Sequence, residues 1–590
     1  MSAKNFKVDP IIVAVLDSRF NAINEEMGRV LIRTSRSTVF SEARDFAVSI
    51  FDKDIRLVAQ KEYVPILAGA NRISLENIAA AFQGDIHEGD IFIHNDPYTG
   101  NTHIGDLNIA KPVFHRGELM FWAIVKGHMA DTGNKGVAGN DPTSTTIWQD
   151  GVLIPAIKLY QGGKLNNGVK SLLLRNIKLP DIVWGDIMCE VGGCTVAERH
   201  LLKMLDRYSS DIVYGAVNEI LAATEREVRN MIKQIPDGTY YGEKSTDHDA
   251  IDRDKPVTAR VKITVKEDEL IIDLSDSDRT VKGYINSSWG NTFSASHLAL
   301  AYALPSIVKR NHGSMIPITI IAPEGKWINP AFPAPVAKCT TTATECIGEA
   351  ILLAMSTAIP SSIAASHGKM TQYFSSGYNP RTKRKWVDID FFMTCAPSGG
   401  TEGYDGWDLG GPLFNLGGMR LPDVEVIELV KPVHILQHEQ VADSAGAGKF
   451  RSGSGHIYKV KYLCDSFDGA ALVGAGMRDY VAPEGLFGGK KPEPNVVYFH
   501  RVNGRTEKID TGTFVSHYVG DIMECHFMGA GGFGNPFERD VKKVREDVIS
   551  EVISIKGAKI GYGVVVDPIS YEVDYQATEK LRKKISSKPC

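Results

Sequence analysis

The 590-residue chain carries 71 acidic against 66 basic side chains, for a net charge of −5. The two signs are interspersed, so no basic stripe is available for a phosphate backbone and nucleic acid is not an expected partner. No apolar run approaches the ~18–20 residues that span a bilayer, and the opening MSAKNFKVDP lacks the order of a secretory leader, so a cytoplasmic protein without a membrane segment is expected.

The length exceeds what one core holds and predicts several packed lobes. Residues 9–38 place Ile12, Val15, Leu16, Phe20, Ile23, Met27, Val30 and Leu31 three and four apart, an amphipathic helix opened by Asp9 and Pro10. DFAVSIFD, IRLVAQ, DIFIHND and MFWAIVKG then read as strands between polar turns. A second long helix is predicted over about 196–234. ARVKITVKEDELIIDLSD and SASHLALAYALPSIV give strands and an apolar helix, 380–535 reads as mostly β, and 536–586 as a charged helical tail. The predicted class is α+β with mixed sheets. Its divisions are an N-terminal lobe over 1–245, a central lobe over 246–380, a Gly-rich β lobe over 381–535 and a helical tail over 536–590.

The most informative stretch is 95–131, NDPYTGNTHIGDLNIAKPVFHRGELMFWAIVKGHMAD. His103 and Asp106 lie on a turn after a strand, and a hairpin-like return would bring His128 back to them. Imidazoles and carboxylates converging on a rigid scaffold suit a divalent ion such as zinc or manganese. Upstream, Glu42 and Asp45 flank the first strand, and Asp45 is the preferred additional ligand. Histidine and aspartate on Gly-rich turns also serve as backbone caps, and H-x-x-D spacing alone leaves both readings open. A site on such turns is expected to be surface-accessible.

Other motifs are weaker. ADSAGAGKFRSGSG has Asp443 where a Walker A loop needs its first glycine and Phe450 where it needs Ser or Thr, so no ATP site is expected on this chain. FMGAGGFGN lacks the context of a dinucleotide loop, and Gly453-Ser454-Gly455 lacks that of a nucleophile elbow. His434 and His438 read as strand residues on one face but ~13 Å apart, and hence as structural. The turns at Trp289 and Trp407 read first as packing, with a pocket wall or a protein contact left open. The eight cysteines are scattered without a C-x-x-C pair and read as reduced thiols, none with a base brought beside it by a motif.

NDPYTGNTHIGD, GHMAD, DGVLIPAIKL, LLLRNIKLPDIVWGDI, PEGKWINPAFPAPV, DSAGAGKFRSGSG, GAGGFGNPFERD and YGVVVD resemble, in order, the signature blocks of the hydantoinase B family over about 9–586. The resemblance implies a large multi-lobed fold and the metal-binding subunit of an ATP-dependent cyclic amide hydrolase that opens lactams, hydantoins or oxoproline. A hydantoinase A-type partner would hold ATP-Mg and phosphorylate the substrate, in a heterotetramer of two copies each. The alternative within the same resemblance is a subunit of an acetone- or acetophenone-type carboxylase. The resemblance carries a zinc or manganese site onto Asp45, His103, Asp106 and His128, with Glu42 or Asp131 as proton acceptor. KEYVPILAGA and the Gly100-Asn101 pair depart from the family pattern and put substrate specificity in doubt more than the metal.

Overall fold

The computed structural model describes residues 8–586 apart from 138, 305–308, 416–419 and 467–469. Cys590 and the end of the helix expected to reach Val308 therefore lie outside the described residues. By contact the chain gathers into two compact units, the first taking nearly all residues up to Ala358 and the second nearly all from Ile359 onward.

The first unit is organised by an antiparallel seven-stranded sheet. Its strands are β1 (Phe46–Asp52), β2 (Leu57–Glu62), β3 (Ile91–His94), β4 (Asp106–His115), β5 (Glu118–His128), β6 (Ile157–Gln161) and β7 (Lys164–Leu165), in the order β2-β1-β5-β4-β3-β6-β7. β1 is buried at every position, and its sequence is accordingly apolar on both faces except at Ser49 and Asp52. Helices Pro10–Thr34 and Pro180–Tyr208 pack together and onto the sheet. Asp9 caps the first of them, its carboxylate accepting from Ile11 N at 2.8 Å, and Leu16, Phe20, Ile23, Met27 and Leu31 form the buried stripe. Ile12, Val15 and Val30, expected in that stripe, lie at its margins and are not fully buried. A separate cluster that includes Phe51, Leu75, Phe92, Trp122 and Ile124 packs β-strands against the helix Asn71–Ala81.

The second long helix differs from its predicted bounds. It begins at Pro180 and is interrupted at Ser209, whose φ of 64° sets off a further helix, Ser210–Ile232. A four-stranded sheet follows, in which Val257–Lys266 and Glu269–Asp273 form a hairpin and Ile318–Ile321 runs parallel to the latter. The helix Trp289–Ala303 packs against Thr344–Ala358, which is buried on nearly every side.

The second unit is mostly β, as expected for 380–535. One sheet has four strands. The other has five, ordered Val433–Gln440, His456–Tyr462, Ile522–His526, Val496–His500 and Thr506–Ile509. Tyr373, Leu472, Tyr458, Tyr462, Phe499 and Met523 share its core. The tail forms Val541–Ile549, Ile555–Tyr562 and Tyr575–Ser586. Arg539, only 1% exposed, anchors the tail by pairing with Asp405 and Asp547. Among the described residues, no helix is long and apolar enough to cross a membrane.

Candidate metal centre

The site stands at one end of a hairpin. β4 opens at Asp106 and β5 closes at His128, and their antiparallel register sets these two directly opposite each other. Opposed residues on such strands point to the same side, so His128 Nδ1 comes to 3.1 Å from Asp106 Oδ1. His103 returns through a tight turn, in which Asp106 N donates to the His103 carbonyl at 3.2 Å, and its Nδ1 lies 2.8 Å from the other carboxylate oxygen. The two imidazoles stack with centroids 5.0 Å apart and planes 16° apart.

One donor atom from each of the three residues lies within 4.8 Å of the others. All are buried, at 3%, 0% and 8% exposure for His103, Asp106 and His128, so the expected surface-accessible site is in fact enclosed. Gly105 makes the approach possible, since a Cβ there would stand 2.6 Å from His128 Cε1 and 2.7 Å from His103 Nε2.

Neighbouring residues hold this arrangement. Thr102 donates a short hydrogen bond to Asp106. The Asn101 amide bridges the carbonyls of His103 and Asp106 at 2.8 and 2.6 Å. Ser288, at the start of helix Trp289–Ala303, lies 2.9 and 2.6 Å from the carbonyls of Asn101 and Thr102. Lys126 shares the polar face, opposite Asn108 one row behind the Asp106–His128 pair.

The electrostatics follow from burial. Desolvation alone would raise the Asp106 carboxyl, but His103 and His128 together hold it well below the ordinary range. The Asp45 backbone carbonyl accepts from His128 N at 3.0 Å. Its carboxyl, enclosed by protein although the residue keeps a path to solvent, is pushed up to about 6 by burial, with His128 lowering and Asp106 raising it. Burial likewise brings the Lys126 and Lys338 ammonium groups down to about 7. Two imidazoles and a carboxylate are donor types that suit a borderline divalent ion, and one donor atom of each lies within 4.8 Å of the others.

The remaining candidates are placed differently. Asp131 is an anchor: its carboxylate accepts from the backbone of Gly133 and, ahead of helix Pro180–Tyr208, from Lys178 and Leu179. Glu42 ends the short helix Thr38–Ser41, and no hydrogen bond or ion pair among the described residues joins its carboxylate to the three-residue cluster. The sequence reading missed Asn101, Thr102, Ser288 and Lys126. The first two stand inside the NTHIGD motif, but nothing in sequence marked Ser288 or Lys126 as neighbours.

The glycine-rich stretches that superficially resemble nucleotide loops pack on each other. Phe450 and Phe533 exchange backbone hydrogen bonds at 3.0 and 2.9 Å, Gly446 N donates to Ala530 O at 3.1 Å, and Lys449 N to Gly534 O at 3.1 Å. The first stretch is thus a turn packed backbone to backbone on the second. Trp289 packs against Phe293. Trp407, expected to pack, is 75% exposed.

The hydantoinase B/oxoprolinase family model matches residues 9–536. The beta subunit of the caprolactamase of Pseudomonas jessenii is 32% identical over 582 residues, covering 98% of this chain and 99% of that one. The crystal structure of ATP-dependent caprolactamase from that organism superposes with a TM-score of 0.91 at 31% identity, over 98% of this chain and 100% of its counterpart. The B-type subunit of a putative D-/L-hydantoinase from Pseudomonas sp. (strain NS671) is 28% identical over 601 residues, 98% of each chain. A nucleotide-free acetone carboxylase structure shares the fold, with a TM-score of 0.85 at 18% identity over 98% of this chain and 83% of that one. The hairpin-end site thus sits in a chain matched over most of its length, and that chain belongs to the hydantoinase B/oxoprolinase family.

Proposed function

We propose that this chain is the B-type subunit of a two-component, ATP-dependent cyclic amide hydrolase. In this reading His103, Asp106 and His128 hold a zinc or manganese ion, with Asp45 beside them. The observation that carries it is the convergence of those three side chains at one hairpin end. The names of the relatives, a caprolactamase beta subunit and a hydantoinase B-type subunit, support a second component; in this reading that component carries ATP-Mg and assembles with this chain as a heterotetramer of two copies each.

An unactivated lactam resists water because its nitrogen donates into the carbonyl. Phosphorylation of the amide oxygen on the partner makes that carbon electrophilic, leaving this chain to position a water and accept its proton. A divalent cation at the site supplies the Lewis acidity that makes a nearby water nucleophilic near neutral pH. Asp45, which is joined to the cluster through its backbone bond to His128 and keeps a path to solvent, is better placed to accept that proton than Asp131, whose oxygens are occupied. Glu42 is retained as a second proton acceptor, to be tested as Glu42→Gln.

The test is reconstitution with the A-type partner and a panel of lactams, hydantoins and 5-oxoproline. ATP hydrolysis stoichiometric with ring opening is expected for one class. No coupled turnover across the panel would refute the reading, and bicarbonate-dependent turnover of a ketone would assign the chain to the carboxylases instead.

A further inference from the structure

A second cluster of metal-ligating side chains lies in the other unit. Cys395 follows the short turn Phe391–Thr394, His438 lies on the strand Val433–Gln440, and His456 opens the strand His456–Tyr462. The two strands pair antiparallel, with His438 opposite Tyr458 and His456 two positions away on the Tyr458 face. That geometry depends on a bulge between Ile435 and Gln437. An unbroken strand would put His434 and His438 on one face, as the sequence suggested. The extra residue instead turns His434 outward towards Glu428 and His438 inward.

Cys395 Sγ lies 3.7 Å from His438 Nε2, which gives this cysteine the imidazole neighbour that no sequence motif predicted. One donor atom from each of the three residues lies within 4.8 Å of the others. His456 is 1% exposed and its two ring nitrogens both lack a hydrogen-bond partner. The Phe392 backbone comes near enough to favour the charged ring slightly without meeting hydrogen-bond geometry. As a packing residue alone, His456 stacks on Phe527 at 4.4 Å but leaves two polar atoms orphaned in a core, which is uncommon.

A tetrahedral zinc ion would take one of these two nitrogens as a ligand. Zn–S and Zn–N bonds of about 2.3 and 2.0 Å at the tetrahedral angle place sulfur and nitrogen about 3.5 Å apart, against 3.7 Å here. One thiolate with two imidazoles is a soft-to-borderline donor set, unlike the oxygen-bearing set at the hairpin end. We propose that Cys395, His438 and His456 form a second metal site that takes zinc, with a fourth position filled by water. Binding converts the Cys395 thiol to a thiolate and releases its proton to solvent through the half-buried His438 side.

The probe is cobalt(II), titrated anaerobically into the metal-stripped full chain. Thiolate-to-cobalt charge transfer in the near ultraviolet reports only a cysteine ligand and is silent to the nitrogen–oxygen donors of the first centre. The band is expected in the wild type and in His128→Ala, bleached by added zinc, lost in Cys395→Ser, and shifted at least tenfold in cobalt affinity in His456→Gln. The serine substitution is close in shape, and circular dichroism checks that its fold is retained. No band in the wild type, or an undiminished band in Cys395→Ser, would overturn the proposal. So would a band lost in His128→Ala, since it would move the thiolate to the first centre, where Cys339 lies 3.2 Å from the Thr102 carbonyl.

Discussion

Asp106 and His128 are 22 residues apart in sequence and face each other across adjacent strands, carboxylate to imidazole at 3.1 Å. The pairing is a property of hairpin register, and a one-residue slip would send the two side chains to opposite faces of the sheet. Paired strand ends therefore fix Asp106 and His128 against each other, and the turn bond from Asp106 N to the His103 carbonyl brings in the third side chain.

Because Asp106 is fully buried and receives bonds from Thr102, His103 and His128, Asp106→Ala removes more than a ligand. Orphaned donors should cost about 3 kcal/mol in stability, whereas His128→Ala, at the margin of the site, should cost roughly half as much. Both should lose the metal. Urea unfolding and metal analysis measure the two effects, and full metal occupancy in either variant would mean the ligands are misassigned.

Gly105→Ala tests the packing of the imidazoles directly. The added methyl meets both rings at 2.6–2.7 Å, so the rings must separate while the backbone is free to stay. Metal affinity should fall roughly 10–100-fold with little change in secondary structure. An unaltered dissociation constant would contradict the geometry.

Asp150 gives a pH signature. It is buried, with Ser144 Oγ at 2.5 Å and Val336 N at 2.9 Å, and burial raises its carboxyl to about 7. From about pH 4 to 7 the folded chain keeps a proton that the unfolded chain has released, so this group makes stability fall as pH rises through that window. Asp150→Asn, which cannot ionise, should gain on the wild type by on the order of 4 kcal/mol between pH 4 and 8. Parallel stability curves for the two proteins would rule this out.

In the second unit, Arg539 makes two bonds to Asp405, at 2.6 and 2.8 Å, and another to Asp547 at 2.7 Å. Arg539→Met should destabilise by about 3 kcal/mol, because Asp405 loses its guanidinium partner and Asp547 is left with Arg451. Arg539→Lys should recover little, since an ammonium cannot reproduce the fork. Chemical denaturation distinguishes these from a neutral outcome, and metal content at His103 should stay unchanged.

The strands and the hairpin return were legible because their apolar runs and polar turns carry the pattern locally. So was the convergence of His103, Asp106 and His128, which needs only that return. The helix at Pro180 was concealed by Gly192 and Gly193, poor helix formers that here allow close packing, Gly193 against Leu31. The break at Ser209 was invisible because apolar periodicity continues on both sides of it. His438 was dismissed because its partner was sought on the same strand, whereas a bulge and two other segments decide what it faces. Asp131 looked chemically poised, but sequence does not reveal that three backbone amides already occupy it.

The stacked glycine segments around Gly446 and Gly532 have a genetic corollary. Backbone lies on backbone there: a methyl on Gly446 would meet Ala530 O at 2.3 Å, and one on Gly532 would meet Ala447 O at 2.2 Å. Neither arm can drift alone, and once one substitution has pried them apart a second costs far less than the sum. Variation in the two stretches should therefore be inherited jointly, as if they were a single locus.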